Sequence, residues 1–558
     1  MMKKYRFILL ITLIGFIVYA NSLFNRFVWD DEEQILNNSL VHSISNIPSF
    51  FKGGTFNVSG SPKLTGIYYR PLMTSFFSIL YTVFGPNPFP FHLFQFLIHI
   101  VNTVIVFFIL QHFLKRDWLS FFLATLFLVH PINTEAVVYS AALQDVLSFF
   151  FGSFALLLVI KNSRMVNYLI AAIYILLGLL TKETTALFIP IIFVYILLVK
   201  KEKPYSFLIS LVPFLTIYSA LRFLIARIYF TKFNVAPIAN LSFWERMINM
   251  PKIILYYLKL YLWPQHIAVS QHWIVKNFSF SGFFLPLVLD LIFFFCLIYF
   301  GSKLFLQKRK LFSIYLFFVS IFLLGLGFHL QILPLDMTVA DRWFYSPHLG
   351  LLGVFGTIYL FYLDRINIKK VIFFPILIVL VLSARTIIRN MDWKDGYTLY
   401  SHDVQISKNA FDLENNVGVE LGKVKQWEES KRHFEKSIKL APEWWPAYNN
   451  LAVYYALYER NTKKAEKLYR ISIAKGNYYN AYENLAYLLL SQKKYNETIE
   501  LSEKGLSYFP NNIRLIKALV ITYYQNNNKE KALELAKYLY QLSPTMENKK
   551  LVRDTLQN

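Results

Sequence analysis

Apolar residues along this chain fall in runs too long for an ordinary buried helix and too unbroken for a half-buried strand. They lie near residues 7–24, 91–113, 118–131, 146–160, 166–181, 185–199, 205–226, 281–301, 312–329, 345–363 and 371–388. A helix needs roughly 20 mostly apolar residues to cross a bilayer, so the pattern predicts an all-α polytopic bundle of about eleven spans. Two stretches are amphipathic instead: 68–84, broken by Arg70-Pro71, and 248–263, which carries Lys252, Lys259 and paired tyrosines. Both read as helices in or dipping into the membrane interface. The first run follows MMKKYR and ends near Ala20, as a secretory signal would, but continues apolar to Phe24 and is read as an uncleaved span.

Beyond residue 390 the long runs stop and a period appears. Gly418, Ala452, Ala486 and Val520 recur every 34 residues. Each follows an apolar residue and precedes a large one by three, at Leu421, Tyr455, Leu489 and Tyr523. Small or hydroxyl residues return at Ser430, Ala465, Thr498 and Ala532, and Pro442, Pro510 and Pro544 end three of the four units, with Asn477 in that place in the second. This is the tetratricopeptide helix–turn–helix pattern, whose stacked units present a concave surface to peptides or proteins. The expected organisation is a membrane domain over 1–390, a linker over 391–410, four repeats over 411–544 and a tail over 545–558. Tyr448, Tyr454, Tyr455, Tyr478, Tyr479 and Tyr482 crowd the middle repeats, and at least Tyr455 sits at a packing position.

Composition agrees: 56% of residues are hydrophobic, against roughly 45–50% in soluble domains. The single cysteine, Cys296, excludes an intrachain disulfide or cysteine-based metal cluster. The net charge of +23 first invites nucleic acid, but membrane orientation accounts for part of it. With a cytoplasmic N-terminus, clusters at Lys115-Arg116, Lys161 with Arg164, Lys200-Lys201, Lys303 with Lys308-Arg309-Lys310, and Arg365 with Lys369-Lys370 all fall inside. An odd number of spans then places the repeats outside, and no nucleic acid is needed as a partner.

The same topology gathers acidic and basic residues on the outer face, where charge at membrane depth is costly and usually functional. FVWDDEE carries Asp30 and Asp31, an acidic pair suited to general-base work or to a divalent cation, and equally to capping a helix N-terminus. YYRPL carries Arg70, a guanidinium fork that fits phosphate or snorkels to the interface. HPINTEAV and LQD carry His130, Glu135 and Asp145, a set without a recognised metal-ligand spacing and better suited to hydrogen bonding. TKE carries Lys182 and Glu183; DRWFYSP carries Asp341, Arg342 and an aromatic belt, with Asp336 just upstream. His329 and His348 read as hydrogen-bonded interfacial residues. No glycine-rich phosphate loop, nucleophile elbow or HExxH motif appears, so a nucleotide-using cytoplasmic enzyme is disfavoured. Arg70, Lys182 and Arg342 with acids beside them suit a lipid-linked phosphate and a proton-accepting carboxylate.

These five segments in this order, followed by the repeats, resemble the membrane glycosyltransferases of the GT-C class, and among them the protein O-mannosyltransferases that carry tetratricopeptide repeats. The resemblance implies a sugar, mannose, carried on a polyprenyl or dolichyl phosphate at the outer leaflet and passed to a protein Ser or Thr hydroxyl. It implies Asp30 or Asp31 as general base, Arg70, Lys182 and Arg342 as donor-phosphate ligands, and His130, Glu135, Asp145, Glu183 and Asp341 as supporting polar residues. The repeats would hold acceptor or a partner protein. For a bacterial chain the location would be the inner membrane. Arg70 stands where related enzymes often have histidine or lysine, Gln144 where arginine is expected, and DRWFYSP departs from a glutamate-arginine-tyrosine form. Rival readings are a non-enzymatic membrane-anchored repeat scaffold and another lipid-linked glycan ligase or polymerase. A transporter is less favoured, because its sites lie near the midplane.

Overall fold

The structure is a computed structural model; residues 2–55, 68–162, 164–229, 235–363 and 373–557 are described. The basic cluster Arg365, Lys369 and Lys370 and the first two residues of the run 371–388 lie outside them. The described residues form helices and short helical turns, with one isolated antiparallel bridge between Gln271 and Val339. They divide into two compact units, one running to Lys408 and the other starting at Asn409.

In the first unit, nine helices among the described residues are long and apolar enough to cross a membrane. A tenth arises if Asp117–Val129 and Pro131–Val138, bent by 50°, count as one span. Met165–Leu179 is apolar but shorter, so every predicted run has a helix. Pro71–Phe84 and Phe243–Leu262 also form helices. The second opens on a capping box, Ser242 with Glu245, and keeps Lys252 and Lys259.

Burial separates core helices from lipid-facing ones. Ser140–Lys161, Asp341–Tyr362 and Pro88–Leu114 are 83%, 67% and 61% buried, whereas Phe280–Gln307 is 17% buried and presents its apolar side chains outward. A polar knot ties the three central helices. The Tyr345 hydroxyl donates to His99 Nδ1 at 2.6 Å and accepts from Asn102 Nδ2 at 3.2 Å. Asn102 Nδ2 also donates to the Val146 carbonyl at 2.8 Å. In a medium without water to compete, such bonds fix register between helices that apolar packing alone leaves free to slide. Close approach does the same at Gly350, where a Cβ would stand 2.4 Å from the Phe322 backbone nitrogen.

The segment read as a linker, 391–410, contains helix Gly396–Ile406. A buried ion pair holds it: Arg389 Nη1 and Nη2 donate to Asp403 Oδ1 and Oδ2 at 2.7 and 2.8 Å. Asp403 Oδ2 also accepts the Val269 N–H at 2.7 Å. The polar composition of this stretch therefore reflects satisfied charge, not a solvated connector.

The second unit pairs helices Phe411–Lys423 with Trp427–Leu440, Trp445–Leu457 with Thr462–Gly476, Tyr479–Ser491 with Tyr495–Tyr508, and Ile513–Gln525 with Lys529–Leu542. Each turn between paired helices contains a left-handed residue, Lys425, Arg460, Lys493 and Asn527. The small residues of the 34-residue period sit where helices touch: Ala452, Ala486 and Val520 are fully buried. A Cβ on Gly418 would meet the Phe434 ring at 2.6 Å. Tyr454, Tyr455 and Tyr482 belong to the core, while Tyr448, Tyr478 and Tyr479 are half-buried. The tail is helical too, Met546–Gln557, and its Leu551 and Val552 pack on Ile516, Val520, Ala536 and Leu539. It covers the apolar face that the last repeat would otherwise expose.

Two outcomes follow. Gly418→Val should cost about 1–3 kcal/mol by overpacking, read as lost amide-exchange protection in Phe411–Lys423 and Trp427–Leu440 but not in Lys529–Leu542. Burial pushes the Asp403 carboxyl up, but Arg389 and the hydrogen bonds from His402, Arg389 and Val269 outweigh it and hold it below the usual range. Its stabilisation is full above the unfolded value of about 4 and lost as pH falls through the lower folded value. Exchange rates across 267–275 and 396–406 should rise in acid in the wild type, and Asp403→Asn should remove that pH dependence.

Candidate active site

One end of the helix bundle carries the sequence-predicted polar residues, and the fold pairs them across long separations. Lys182 Nζ donates to Asp145 Oδ1 at 2.6 Å. Arg342 pairs through its side chain with Glu135, and its backbone N–H donates to the other Glu135 oxygen at 2.9 Å. Arg70 Nη2 lies 3.4 Å from Glu183 Oε1. Lys182 and Glu183, adjacent in sequence, therefore serve different partners. Asp341 is fully buried and accepts from the Tyr256 hydroxyl at 2.8 Å.

The three cations share one neighbourhood. Burial pulls the Lys182 ammonium below its ordinary value; Asp145 opposes that, and the charges of Arg70 and Arg342 add to it. His329 registers the same field: burial, then the charge of Lys182, lower it to about 3, with Arg342 contributing. It is neutral, donates from Nδ1 to the Gly325 carbonyl at 3.0 Å and stacks on Trp343. The Arg70 guanidinium lies 4.0 Å above the Tyr68 ring, and the Tyr68 hydroxyl donates to Asp336 Oδ2 at 2.7 Å.

The pairing is incomplete at the atomic level. Arg70 Nε, Asp145 Oδ2, Glu183 Oε2 and Asp341 Oδ2 are buried and have no hydrogen-bond partner among the described residues. Buried polar atoms are almost always satisfied, so a group of unsatisfied charged side chains in one region is poised for a polar ligand.

Asp30 and Asp31 prove unlike. Trp29 has a φ of 55°, reversing the chain ahead of them. Asp31 is fully buried, its Oδ2 accepting the Val28 N–H at 3.1 Å and its Oδ1 the Ala141 N–H at 2.6 Å. Burial pushes its carboxyl well above the usual range, against those hydrogen bonds, and Asp30 adds to the rise. Asp30 is half-buried, and its N–H donates to the Tyr139 hydroxyl at 3.2 Å. Tyr139 is within electrostatic reach of Asp30, Asp31 and Arg342, which joins the acidic pair to the cation cluster. N–H donors face both Asp31 oxygens. Among the described residues no group of three or more His, Cys, Asp or Glu side chains could hold a metal ion.

His130 stands apart from the cations. Its Nδ1 accepts the Ile132 N–H at 3.2 Å, its Nε2 donates to the Tyr261 carbonyl at 2.9 Å, and its ring stacks on Tyr261. Both nitrogens thus hold the bend between Asp117–Val129 and Pro131–Val138.

The chain is similar in sequence to known proteins. The chain is 26% identical to human protein O-mannosyl-transferase TMTC3 over 564 residues, 90% of this chain and 60% of that one. It is 25% identical to the Caenorhabditis elegans protein O-mannosyl-transferase F38B6.6 over 79% of this chain and 63% of that one. Its relatives are protein O-mannosyl-transferases. The chain spans about three-fifths of the length of these relatives, and with its nine candidate membrane helices it is an integral membrane protein. No family model matches it. Among solved structures, MamA matches 26% of this chain and 85% of its own at 18% identity and a TM-score of 0.24. YrrB, a tetratricopeptide protein with an unusual peptide-binding site, matches 30% and 84% with the same identity and TM-score.

In this O-mannosyl-transferase-like chain, sequence reasoning missed Tyr139, Tyr68, Tyr256 and the closeness of His329 to the cations. The tyrosines sit in apolar stretches, where an aromatic reads as packing; only their buried hydroxyls mark them. The different environments of the acidic pair predict different losses. Asp31→Asn would turn an NH2 against a backbone N–H donor, costing about 1–3 kcal/mol and lowering the melting temperature of the detergent-solubilised protein. Asp30→Asn, at a half-buried position, should lower it less.

Proposed function

We propose that this protein is a membrane glycosyltransferase that moves mannose from a polyprenyl-phosphate donor to Ser or Thr hydroxyls of proteins at the extracytoplasmic face. The observation that carries this reading is the convergence of Arg70, Lys182 and Arg342, with unsatisfied polar atoms among them, beside an acidic pair on one side of the membrane. Its likeness to proteins named protein O-mannosyl-transferases supports it.

Phosphate is the leaving group that such a cluster fits. As the anomeric C1–O bond to the lipid phosphate breaks, charge builds on the departing oxygen, and preorganised cations in a dry site stabilise it strongly. Arg342 and Lys182 are each held by one carboxylate, which fixes their position without cancelling their remaining N–H donors. Asp30 takes the proton from the acceptor hydroxyl as its oxygen attacks C1. Asp31 is a positioning residue: anchored to Val28 and Ala141, it fixes the loop that carries Asp30. A single displacement at C1 inverts its configuration, by analogy with one-step glycosidases. The repeats present the half-buried Tyr448, Tyr478 and Tyr479, amphipathic rings suited to a polypeptide acceptor.

The test uses membranes containing the full chain, a polyprenyl-phosphate mannose donor and a Ser/Thr peptide. Loss of the general base predicts a fall of about 10²–10⁴-fold in transfer by Asp30→Asn. Transfer by Asp30→Asn equal to wild type would overturn the assignment. Equal use of a nucleotide-mannose donor would overturn the lipid-donor reading.

A further inference from the structure

A charged cavity lies at the end of the central helices away from the candidate active site. It has a volume of about 510 Å³ and sits where Pro88–Leu114 and Ser140–Lys161 end and Asp117–Val129 begins. Asp145 and Lys161 lie at opposite ends of one helix, 16 residues and about 24 Å apart at 1.5 Å per residue. The cavity therefore opens on the membrane face opposite the candidate active site.

Its lining has two characters. Phe108, Leu157 and Ile160 make an apolar wall, while His112, Lys115 and Lys161 supply basic groups. Gln111 Nε2 donates to Asp117 Oδ1 at 2.5 Å, engaging the acid on the cavity wall. Lys115 ends its helix in a left-handed conformation, φ 54°, and Lys161 ends the neighbouring one. Neither lysine has an ion-pair partner among the described residues. Lys200 adds to the field, being close enough for its charge to act on His112. Lysines that merely orient a membrane protein need only lie in the inner loops; these converge on a cavity whose back is apolar.

We propose that this cavity binds the phosphodiester headgroup of an anionic phospholipid from the leaflet opposite the candidate active site. The basic groups hold the phosphate, the Gln111–Asp117 pair offers polar contacts to the headgroup alcohol, and the apolar wall takes the glycerol and the start of the acyl chains. Lipid bound there would brace the ends of two of the three central helices.

The experiment uses the full chain in nanodiscs of phosphatidylcholine with or without phosphatidylglycerol, scored by native mass spectrometry for retained lipid. Wild type should retain phosphatidylglycerol in preference to phosphatidylcholine. Each of Lys115→Gln and Lys161→Gln should weaken retention about fivefold, given the contribution of one basic residue at an anionic surface. Lys161→Arg should keep it, and Lys310→Gln, outside the cavity, should leave it unchanged. These two variants also separate loss of the site from loss of fold. Equal retention of the two lipids, or glutamine variants equal to wild type, would overturn the proposal. If inorganic phosphate displaces the lipid and gives the same lysine-dependent stabilisation alone, the site serves free phosphate and the lipid assignment falls.

Discussion

Charge buried at a membrane face must be neutralised nearby, and that constraint organises the candidate active site of this protein. An unpaired ion in a low-dielectric setting costs several kcal/mol even after relaxation. Each cation of the cluster is therefore met by a carboxylate from another part of the chain: Lys182 by Asp145, Arg342 by Glu135, Arg70 by Glu183. These pairs bring together Pro71–Phe84, the bend after Val129, the start of Leu143–Lys161, the turn after Leu179 and the start of Tyr345–Tyr362. The pairs do little for net stability compared with apolar packing. What they supply is position, because a cation with one fixed partner has one place to be.

That positional precision needs a rigid frame, which the core helices provide. His99, Asn102 and Tyr345 lock the three central helices near the level of the site, one turn or so inside Asp341 and Asp145. Arg389 and Asp403 lock the loop through Val269, and the Gln271–Val339 bridge with the Thr338 N–H to Gln271 carbonyl bond, 2.9 Å, carries that restraint to the residues just before Asp341 and Arg342. Side chains that meet the cations are thus set by backbone held on two sides.

The architecture was legible in the sequence because its signals are local. Length and apolarity mark a span, and a 34-residue recurrence marks a repeat, without knowledge of what lies next to it. The two amphipathic stretches stand out from the spans in the sequence by Arg70, Lys252 and Lys259, although Pro71–Phe84 is a short apolar helix like Met165–Leu179. The site was legible only as a list. Arg70 and Glu183 are 113 residues apart, Lys182 and Asp145 37, Arg342 and Glu135 207; nothing in the spacing says which acid meets which base. The adjacent pair Lys182-Glu183 divides between Asp145 and Arg70. Asp30 and Asp31 were interchangeable as letters, and only the N–H groups of Val28 and Ala141 tell them apart. The polar stretch 391–410 resembled a linker because the partner of Asp403 lies in the preceding membrane helix.

The same contrast separates the two ends of the central helices. Lysine and arginine are abundant at both, and composition alone assigns them one meaning, membrane orientation. At the candidate active site each cation has a carboxylate within reach, and among the described residues unsatisfied atoms remain on Arg70, Asp145, Glu183 and Asp341, an arrangement that holds charge in place while leaving polar atoms for a ligand. At the other end Lys115 and Lys161 have no ion-pair partner among the described residues, Asp117 on the same wall being engaged by Gln111, and they line a cavity with an apolar back, an arrangement that favours an anion bringing its own apolar surface. Basic residues acquire distinct roles here through what neutralises them: a fixed carboxylate makes a cation part of a site's geometry, and the lack of one makes it a receptor for charge supplied from the membrane.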